Sequence, residues 1–448
     1  MSHLSFFQKN YQKLNPEQKK AVDLIDGPVM AVAGPGTGKT QILALRVVNI
    51  LRQTDTLPSN ILCLTFTESA KDNLRQRLVS FLGRDGYKVK IHTFHSLSVE
   101  IISEYPDYFF AAADFKPLDE LNQLEILDHI LEKLDYDNPL RKYHPKDGWT
   151  YSKAIISRIK ELKENFITPS DLERILAINQ PQIQAINRLF LTFLNSPEFP
   201  KKLSKKNLSI LNHLIPFLEQ ETPDLKPAEQ EFLNSKNLKS YAQTFLEKLR
   251  PAIQKTQVNQ KTSYFSDFKK AYLKKNNFDQ LNLKNYLDLE KTQALAGIYQ
   301  SYQEALYQNL YYDFQDMILQ VLQAIKNNPD LKFNLQENCH HLLIDEFQDT
   351  NLAQLELAES LLNIEISEGN PNIFIVGDDD QSIYKFQGAN LDNLLGFKQK
   401  YQQVQSVFLT KNYRSKQEIL DLAQKIINQS QTRLSVSLQV DKNLQAMT

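Results

Sequence analysis

The 448-residue sequence has 42% hydrophobic and 23% charged residues, the composition of an ordinary globular protein, and its length predicts about three domains. Its formal net charge of −1 argues neither for nor against nucleic acid as a partner, because a local basic patch can bind a phosphate backbone. The chain has only two cysteines, no run of about 18 apolar residues and no signal-peptide pattern. These features argue against a disulfide framework and against membrane insertion, and they favour a reducing, cytoplasmic setting.

The first predicted element is a helix that starts at Asn15, Pro16 and Gln18. Asn as N-cap, Pro at the first helical position and Gln three residues after the cap predict a capping box. Gln18 has a second interpretation, because its carboxamide offers a donor and an acceptor that match the N6/N7 edge of adenine. Both interpretations stay open, since the amide can change partners.

A glycine-rich turn follows the predicted strand Val29 to Val32 and precedes a predicted helix. This order is typical of a phosphate-binding loop, although Ala33 stands where the pattern opens with glycine. The glycines let backbone amides face a phosphate, and the next helix adds the positive end of its dipole. Lys39 is predicted to reach the β- and γ-phosphates of ATP, and Thr40 to hold Mg²⁺. The predicted nucleotide-binding residues of this region are Gln18, Ala33, Gly34, Pro35, Gly36, Thr37, Gly38, Lys39, Thr40 and Gln41.

The middle of the chain has no glycine for 148 consecutive residues, between Gly148 and Gly297. Segments 151–166 and 241–249 place apolar residues at helical spacing, which predicts a mostly helical insertion. Residues 201–300 carry 17 lysines and arginines against 10 carboxylates. A solvated helical face is the favoured interpretation of this excess, and contact with a phosphate backbone is the alternative.

Outside the insertion, apolar runs alternate with amphipathic helical patterns. This alternation predicts an α/β fold with a parallel sheet that is covered by helices on both faces, and ligands bind at the carboxyl ends of such strands. The apolar runs are Val29–Val32, Ile61–Phe66, Val89–Ile91, Leu342–Ile344, Ile373–Val376 and Val407–Leu409.

Two acidic residues follow the fourth of these runs. Asp345 is predicted to hold Mg²⁺, and Glu346 to orient and deprotonate the water that attacks the γ-phosphate. Gln381 follows the next run and can bond the γ-phosphate or its water, although the aspartates before it are also good turn formers. Beyond it, Tyr384 and Phe386 offer stacking surfaces for bases.

The last predicted motif follows the sixth run. Arg414 is predicted to act as an arginine finger, because its planar and permanently charged group can bind the γ-phosphate. Tyr413 is predicted to stack on the adenine of the nucleotide.

In this order, the motifs resemble those of UvrD/Rep/PcrA-type superfamily 1 DNA helicases. The resemblance covers residues 14 to 105 and about 310 to 430, and jointly the motifs are highly specific. Besides Gln18 and the phosphate loop, they are Thr65-Phe66-Thr67, Thr93-Phe94-His95, Tyr312-Asp313-Phe314-Gln315-Asp316, Asp345-Glu346-Phe347-Gln348-Asp349-Thr350, Gly377-Asp378-Asp379-Asp380-Gln381-Ser382-Ile383-Tyr384 and Asn412-Tyr413-Arg414-Ser415.

The resemblance implies a RecA-like P-loop NTPase domain, interrupted by the helical insertion, and an ATPase that moves 3′ to 5′ along single-stranded DNA. The predicted domain boundaries are 1–105, 106–295, 296–405 and 406–448, and the last segment begins a second RecA-like domain. Stacking of aromatic side chains on the DNA strand is worth about 1–3 kcal/mol per base. The residues that fall where the family contacts DNA are Phe66, Thr67, His95, Tyr384 and Phe386.

The sequence also departs from the family pattern. Gln41 replaces an arginine that often packs on adenine, and Phe386 and Gln387 replace a common tryptophan and arginine. The insertion is larger than is usual in the family. Only 34 residues follow Arg414, which are too few for a second RecA-like domain and lack the family's last ATP-contacting arginine. A fragment or a naturally truncated product is therefore expected.

The sequence thus predicts the N-terminal, ATP-binding portion of a DNA helicase that uses ATP and Mg²⁺. Its predicted partners are single-stranded DNA or single/double-strand junctions, and a missing C-terminal helicase half or a repair partner, with no membrane. Two alternatives stay open. One is a nucleotide-dependent single-stranded DNA-binding module without unwinding activity, and the other is part of a helicase–nuclease subunit.

Overall fold

The structure is a computed structural model that describes residues 3–109, 115–200, 202–276, 278–362, 370–381, 392–401, 403–429 and 442–447. The chain forms two compact units. Unit 1 consists of Met1–Leu118, Lys163–Phe166 and Leu310–Thr448, and unit 2 consists of Asp119–Leu162 and Ile167–Asn309. The four domain boundaries proposed from the sequence stay a prediction. In the described ranges, no helix combines the length and the apolar character that crossing a membrane requires.

The elements are numbered in chain order. The strands are β1 (Val29–Ala33), β2 (Ile61–Thr65), β3 (Lys90–Thr93), β4 (Lys116–Pro117), β5 (Tyr143–His144), β6 (Gly148–Trp149), β7 (Leu273–Lys275), β8 (Leu281–Leu283), β9 (Tyr311–Tyr312), β10 (His341–Ile344), β11 (Ile373–Gly377), β12 (Gln405–Leu409), β13 (Lys411–Asn412) and β14 (Gln445–Ala446). The α-helices are α1 (His3–Gln12), α2 (Pro16–Asp23), α3 (Lys39–Gln53), α4 (Glu68–Leu82), α5 (Phe94–Glu104), α6 (Glu120–Lys133), α7 (Ser152–Glu164), α8 (Pro169–Leu194), α9 (Leu214–Glu221), α10 (Pro227–Ser235), α11 (Tyr241–Val258), α12 (Ser263–Tyr272), α13 (Lys284–Leu287), α14 (Leu289–Gln308), α15 (Phe314–Asn327), α16 (Pro329–Glu337), α17 (Leu352–Ser360), α18 (Asp392–Lys400) and α19 (Gln417–Ile427). Short 3-10 helices span Pro58–Asn60, Gly83–Tyr87, Pro106–Tyr108, Lys205–His213, Phe347–Asp349 and Asp379–Gln381.

A six-stranded sheet lies at the centre of unit 1, with the strand order β12-β1-β11-β10-β2-β3. Every neighbouring pair in it is parallel, and each of the six apolar runs lies in or overlaps one of these strands. The predicted α/β class with a parallel sheet is therefore confirmed. Because parallel strands end at the same edge, the segments that follow β1, β10, β11 and β12 leave the sheet on one side.

Alternate side chains of the sheet enter two separate hydrophobic cores. Met30 and Leu62 belong to the core that also contains residues of α5, α15 and α17. Val29 and Cys63 belong to the core that contains residues of α2, α3 and α4. Since both faces are covered by helices, the strands read in the sequence as continuous apolar runs instead of alternating patterns.

Unit 2 contains helices α6 and α8 to α14 and most of α7, and its core is rich in aromatic rings. Phe190 packs edge-to-face on Phe245, with 5.6 Å between ring centroids, and on Phe268, with 6.3 Å. The predicted helical segments at 151–166 and 241–249 lie largely in α7 and α11. The lack of glycine suits these helices, because each glycine within a helix costs about 0.5–1 kcal/mol relative to alanine.

A buried cluster of three charged side chains lies at the end of α7, where the chain belongs to unit 1. The Nζ atom of Lys163 lies 2.5 Å from Oδ2 of Asp313 and 2.7 Å from Oδ1 of Asp316, and the Lys163 side chain has no solvent exposure. Asp313 also caps α15, where its Oδ1 accepts a hydrogen bond from the Asp316 N–H. Burial raises the pKa of Asp313 to about 6, although Lys163 opposes this rise.

Replacing this lysine is expected to destabilise unit 1, because it leaves two buried carboxyl groups without a cation. We expect Lys163→Met to cost about 3–5 kcal/mol, measured by urea unfolding followed by circular dichroism. Adding Asp313→Asn and Asp316→Asn should recover part of the loss. Lys153→Met, at an exposed position of α7, is the matched control, and an equal loss in both lysine variants would contradict the importance of the cluster.

Candidate functional site

The glycine-rich loop joins β1 to α3, as predicted. Gly36 and Gly38 have φ angles of +69° and +91°, in the left-handed region that favours glycine. Helix α3 begins at Lys39, and its N-cap residue is Gly38, which has no side chain with which to cap the helix. The first amides of α3 have no partner inside the helix, and together with the helix dipole they favour an anion at this position.

The segment after β12 packs directly on this loop. A Cβ atom on Gly36 would lie 2.7 Å from Cβ of Arg414 and 2.8 Å from Nδ2 of Asn412, so glycine is needed for this close approach. The Asn412 amide donates to the Pro35 carbonyl, and the Tyr413 N–H donates to the Gly36 carbonyl at 2.9 Å. The structure therefore brings the predicted phosphate-binding loop and the last of the predicted motifs into contact.

Gln18 uses both ends of its carboxamide within the protein. Its Oε1 accepts a hydrogen bond from the Asn15 N–H at 3.1 Å, which completes the predicted capping box. Its Nε2 donates to the Thr37 carbonyl at 2.9 Å, and thereby fixes α2 to the loop. The capping prediction is confirmed, whereas adenine recognition stays a prediction. Tyr413 lies close by, since its hydroxyl accepts a hydrogen bond from Asn15 Nδ2 at 3.0 Å.

The two acidic residues after β10 reach the loop across one intervening strand, because β11 lies between β10 and β1. Glu346 adopts a left-handed backbone with a φ of +48°, and its Oε2 lies 3.0 Å from Nζ of Lys39. Asp345 is buried, and its Oδ1 accepts a hydrogen bond from the Glu346 N–H at 2.9 Å. The predicted phosphate-binding lysine and the predicted general base are thus in direct contact.

Two carboxyl groups near Lys39 and Glu346, those of Asp345 and Asp349, hold their protons more tightly than usual. Burial raises the pKa of Asp345 to about 6, repulsion from Glu346 adds to the rise, and Lys39 opposes it. Burial and the same repulsion also raise the pKa of Asp349 to about 6, and its buried Oδ1 accepts no hydrogen bond within the described residues. An added cation would relieve this repulsion, although no group of three or more His, Cys, Asp or Glu side chains in the described ranges is arranged to hold a metal ion.

Gln348 connects two of the motifs, although no role was predicted for it from its place in the motif Asp345–Thr350. Its Nε2 donates to Oε2 of Glu346 at 2.9 Å and to Oδ2 of Asp349 at 3.2 Å. Its Oε1 accepts a hydrogen bond from the Asp378 N–H at 2.9 Å. A Cβ on Gly377 would lie 2.6 Å from that oxygen, so this approach requires glycine. Besides its place in that motif, the sequence offered one further signal, this glycine at the end of an apolar run.

Gln381 lies in the turn that follows β11. Its Nε2 donates to Oδ2 of Asp378 at 2.7 Å, and its N–H donates to the Asp378 carbonyl at 3.0 Å. The aspartates therefore do form turn contacts, which was one of the two interpretations. Lys442, which the motifs did not indicate, places Nζ 3.0 Å from Oδ1 of Asp378 and 3.2 Å from Oδ2 of Asp380. Two predicted base-stacking residues of this segment lie outside the described residues, Tyr384 and Phe386.

The loop has two further neighbours that the motifs did not indicate. Strand β14 pairs in parallel with β13, and this brings Leu444 so close that a Cβ on Gly34 would lie 2.7 Å from its Cδ2. On α4, Arg77 donates from Nη1 to Oε1 of Gln41 at 2.6 Å. A guanidinium group therefore lies beside the position at which Gln41 replaces the expected arginine. The Arg414 side chain is exposed and forms no ion pair with the carboxylates that the structure describes.

Three of the predicted DNA-contacting residues lie at the ends of β2 and β3, on the other side of β10 from the glycine-rich loop. Thr67 caps α4, with its Oγ1 accepting from the Ala70 N–H at 3.2 Å. The His95 ring meets the Phe314 ring edge-on, with 5.5 Å between centroids, and Phe314 is 60% exposed. Phe66 follows β2 directly and is half-buried.

The sequence matches the family model described as the UvrD/REP helicase N-terminal domain over residues 14–215 and 200–402. It is similar to the ATP-dependent DNA helicase PcrA of Staphylococcus epidermidis, with 24% identity over 422 residues, which are 94% of this chain and 41% of that protein. The PcrA protein of Staphylococcus aureus is 24% identical over 420 residues, 94% of this chain and 40% of the relative. The chain therefore spans about two fifths of the length of these relatives.

The raised pKa of Asp345 predicts a pH-dependent effect on stability. The folded protein binds this proton more tightly than the unfolded chain does, so ionised Asp345 destabilises the fold as the pH rises from about 4 through 6. We expect Asp345→Asn, which keeps an acceptor for the Glu346 N–H, to be more stable than the wild type by up to about 3 kcal/mol at about pH 7.5. The gain should fall to about half at about pH 5, as urea unfolding without added magnesium would measure.

Asp72→Asn, at an exposed position of α4, is the control, and it should change stability by less than about 0.5 kcal/mol at either pH. A loss of stability in Asp345→Asn at the higher pH, or a gain that is independent of pH, would contradict the assignment.

Proposed function

Because the chain belongs to the UvrD/REP helicase family, we propose that it is the ATP-binding portion of a DNA helicase that moves 3′ to 5′ along single-stranded DNA. We assign unit 1 to the RecA-like P-loop NTPase fold, with unit 2 as an insertion in it. The observation that carries the proposal is the 3.0 Å contact between Lys39 of the loop and Glu346 after β10. This contact assembles a phosphate-binding lysine and a carboxylate base at one edge of the sheet.

The residues around the loop fit a nucleotide with its magnesium ion. The left-handed glycines and the uncapped start of α3 supply amides for phosphate oxygens, and Lys39 supplies a cation for the β- and γ-phosphates. Thr40 and Asp345 would hold Mg²⁺, an ion that usually takes one or two carboxylates together with phosphate oxygens. When bound, the ion neutralises charge that develops on the phosphates.

Hydrolysis would use residues that contact one another in this structure. When a nucleotide binds, its phosphate would replace Glu346 as the ion-pair partner of Lys39. Glu346 would then orient and deprotonate the attacking water. Gln348 bonds both Glu346 and the backbone after β11, and so would hold this carboxylate in place. Gln381 and Arg414 would contact the γ-phosphate. The two proposed contacts to the adenine of the nucleotide are Tyr413 and Gln18.

DNA would bind at the ends of β2 and β3. Phe66, His95 and the exposed ring of Phe314 offer aromatic surfaces for bases, and Thr67 offers a hydroxyl for a phosphate. We also propose that Tyr384 and Phe386 stack on bases of the DNA strand. Because β10 lies between the phosphate loop and this group of residues, a shift of β10 and Glu346 would couple ATP hydrolysis to DNA binding.

The relatives are named as ATP-dependent DNA helicases, and this chain spans about two fifths of their length. Unwinding is therefore proposed for this portion acting with the remainder of such an enzyme. The alternative is that the chain alone binds ATP and DNA without turnover. A segment added in trans that corresponds to the rest of a relative separates these two cases, since restored hydrolysis supports the helicase portion. A third case, part of a helicase–nuclease subunit, would require a nuclease activity in the assembled protein.

Removing the loop lysine is expected to weaken nucleotide binding by about 10–100-fold, because a charge-assisted contact to phosphate is lost. The measurement is titration of a fluorescent ATP analogue with Mg²⁺ into the Lys39→Ala chain. Lys20→Ala, at an exposed position of α2, is the control and should bind as the wild type does. Unchanged affinity in Lys39→Ala would refute the proposed nucleotide site.

Exchanging the proposed base for its amide should separate binding from hydrolysis. We expect Glu346→Gln to bind the nucleotide at least as tightly as the wild type and to hydrolyse it at least about 100-fold more slowly. Steady-state phosphate release with and without a single-stranded oligonucleotide measures this, and Glu356→Gln, at an exposed position of α17, is the control. Equal hydrolysis by the two variants would exclude Glu346 as the base, and ATP binding without turnover by the wild type would support the binding-module alternative.

A further inference from the structure

A short hairpin of unit 2, formed by β7 and β8, is fixed firmly at its base. The two strands pair antiparallel, with Leu273 opposite Leu283, and both leucines are buried in the unit 2 core. Asn187 of α8 fixes the second strand, because its Nδ2 donates to Oδ1 of Asn282 at 3.1 Å and its Oδ1 accepts from the Leu283 N–H at 2.8 Å. The hairpin therefore has a fixed position on unit 2.

The tip of the hairpin is held by one asparagine. Oδ1 of Asn276 accepts hydrogen bonds from the N–H groups of Phe278, at 3.0 Å, and Gln280, at 2.9 Å. The Asn276 N–H donates to the Gln280 carbonyl at 2.8 Å, and its carbonyl accepts from the Asp279 N–H at 3.1 Å. These bonds position Phe278, whose side chain is 83% exposed, the largest exposed fraction of any phenylalanine in the described ranges.

Lysines are concentrated in the segment that leads into this tip. Residues 261–275, which include α12 and β7, contain five lysines and one carboxylate. Lys275 pairs with Asp279, at 2.7 Å between Nζ and Oδ1. Lys270 and Lys274 are exposed, and neither pairs with a carboxylate in the part of the chain that the structure describes.

We propose that this hairpin is a second DNA contact, at which Phe278 stacks on an exposed base and Lys270 and Lys274 bind neighbouring phosphates. A turn normally favours small or polar residues, so an exposed phenylalanine in a well-bonded turn gains most from a flat apolar partner. A nucleic acid offers such a partner beside negative charge, since every base has a π-face next to a phosphate. This inference rests on the proposed function, because it adds a contact in unit 2 to the DNA surface proposed for unit 1.

The base can come from a single strand or from the end of a duplex, and these two sources share the same chemistry. An acidic protein surface would use the lysines without needing the aromatic ring. Substituting the ring and the lysines separately therefore shows whether DNA binding needs the ring as well as the charge.

The first test measures DNA affinity by fluorescence anisotropy with the whole chain, for a single-stranded oligonucleotide, a blunt duplex and a duplex with a single-stranded tail. We expect Phe278→Ala to weaken binding by about 5-fold or more and Phe278→Trp to restore it. Tyr136→Ala is the control, because that ring is 92% exposed elsewhere in unit 2. A loss with the single strand identifies an unpaired base, and a loss only with the duplexes identifies an end base pair.

The second test uses the salt dependence of the same binding. Lys270→Gln with Lys274→Gln should reduce the slope of log affinity against log salt by about 1.4 for single strands, which corresponds to two lost phosphate contacts. The control pair, Lys146→Gln with Lys153→Gln, removes two other exposed lysines of unit 2 and should leave the slope unchanged.

Equal DNA affinity of the wild type and both hairpin variants would overturn the hairpin contact and leave the proposed function standing. Loss in the lysine variant without loss in Phe278→Ala would also overturn it, because the lysines would then bind DNA without a base stacked on Phe278. A wild-type chain that binds none of the three DNAs would overturn the proposed function and the hairpin contact together.

Discussion

The pairing of β1 with β11 on one side and β12 on the other is the constraint on which the rest of unit 1 depends. In this register Val29 lies opposite Phe374 and opposite Gln405, so an early strand is held between two strands from the last quarter of the chain. A shift of one residue would move every side chain of β1 to the other face and into the other core. The observed register brings Gly36 against Asn412 and Lys39 within reach of Glu346.

The electrostatics of the candidate site follow from this crowding of strand ends. One ammonium group, that of Lys39, lies among three carboxyl groups, those of Asp345, Glu346 and Asp349, in a partly buried space. Burial and mutual repulsion raise the pKa values of two of them. A phosphate that formed an ion pair with Lys39 would add further negative charge to this space. The arrangement therefore favours an anion only together with a divalent cation. The charges therefore support the proposal that a nucleotide binds here together with its magnesium ion.

Unit 1 keeps its sheet intact although the chain leaves it for most of residues 119–309. The segment that precedes residue 119 is bonded to the segment that follows residue 309. Strand β4 pairs with β9, and the Lys116 N–H donates to the Leu310 carbonyl at 2.8 Å. Lys163 adds a second link through Asp313, the cap of α15. A long segment whose ends are fixed close together costs the rest of the fold little, because loop-closure entropy grows slowly with length. Such a segment can carry a surface of its own, as the hairpin with Phe278 illustrates.

The amino-acid sequence was sufficient to predict the parallel α/β class, the six strands of the sheet, the capping box at Asn15 and the glycine-rich turn between β1 and α3, because apolar periodicity, caps and glycine turns are local signals. The strand order was not predictable in this way, and neither were the contacts between segments far apart in the chain. Gln348 as a bridge, Lys442 as a partner of Asp378 and Arg77 beside Gln41 are of this kind. No local pattern encodes them, since each requires the register and the burial that packing of the whole sheet creates.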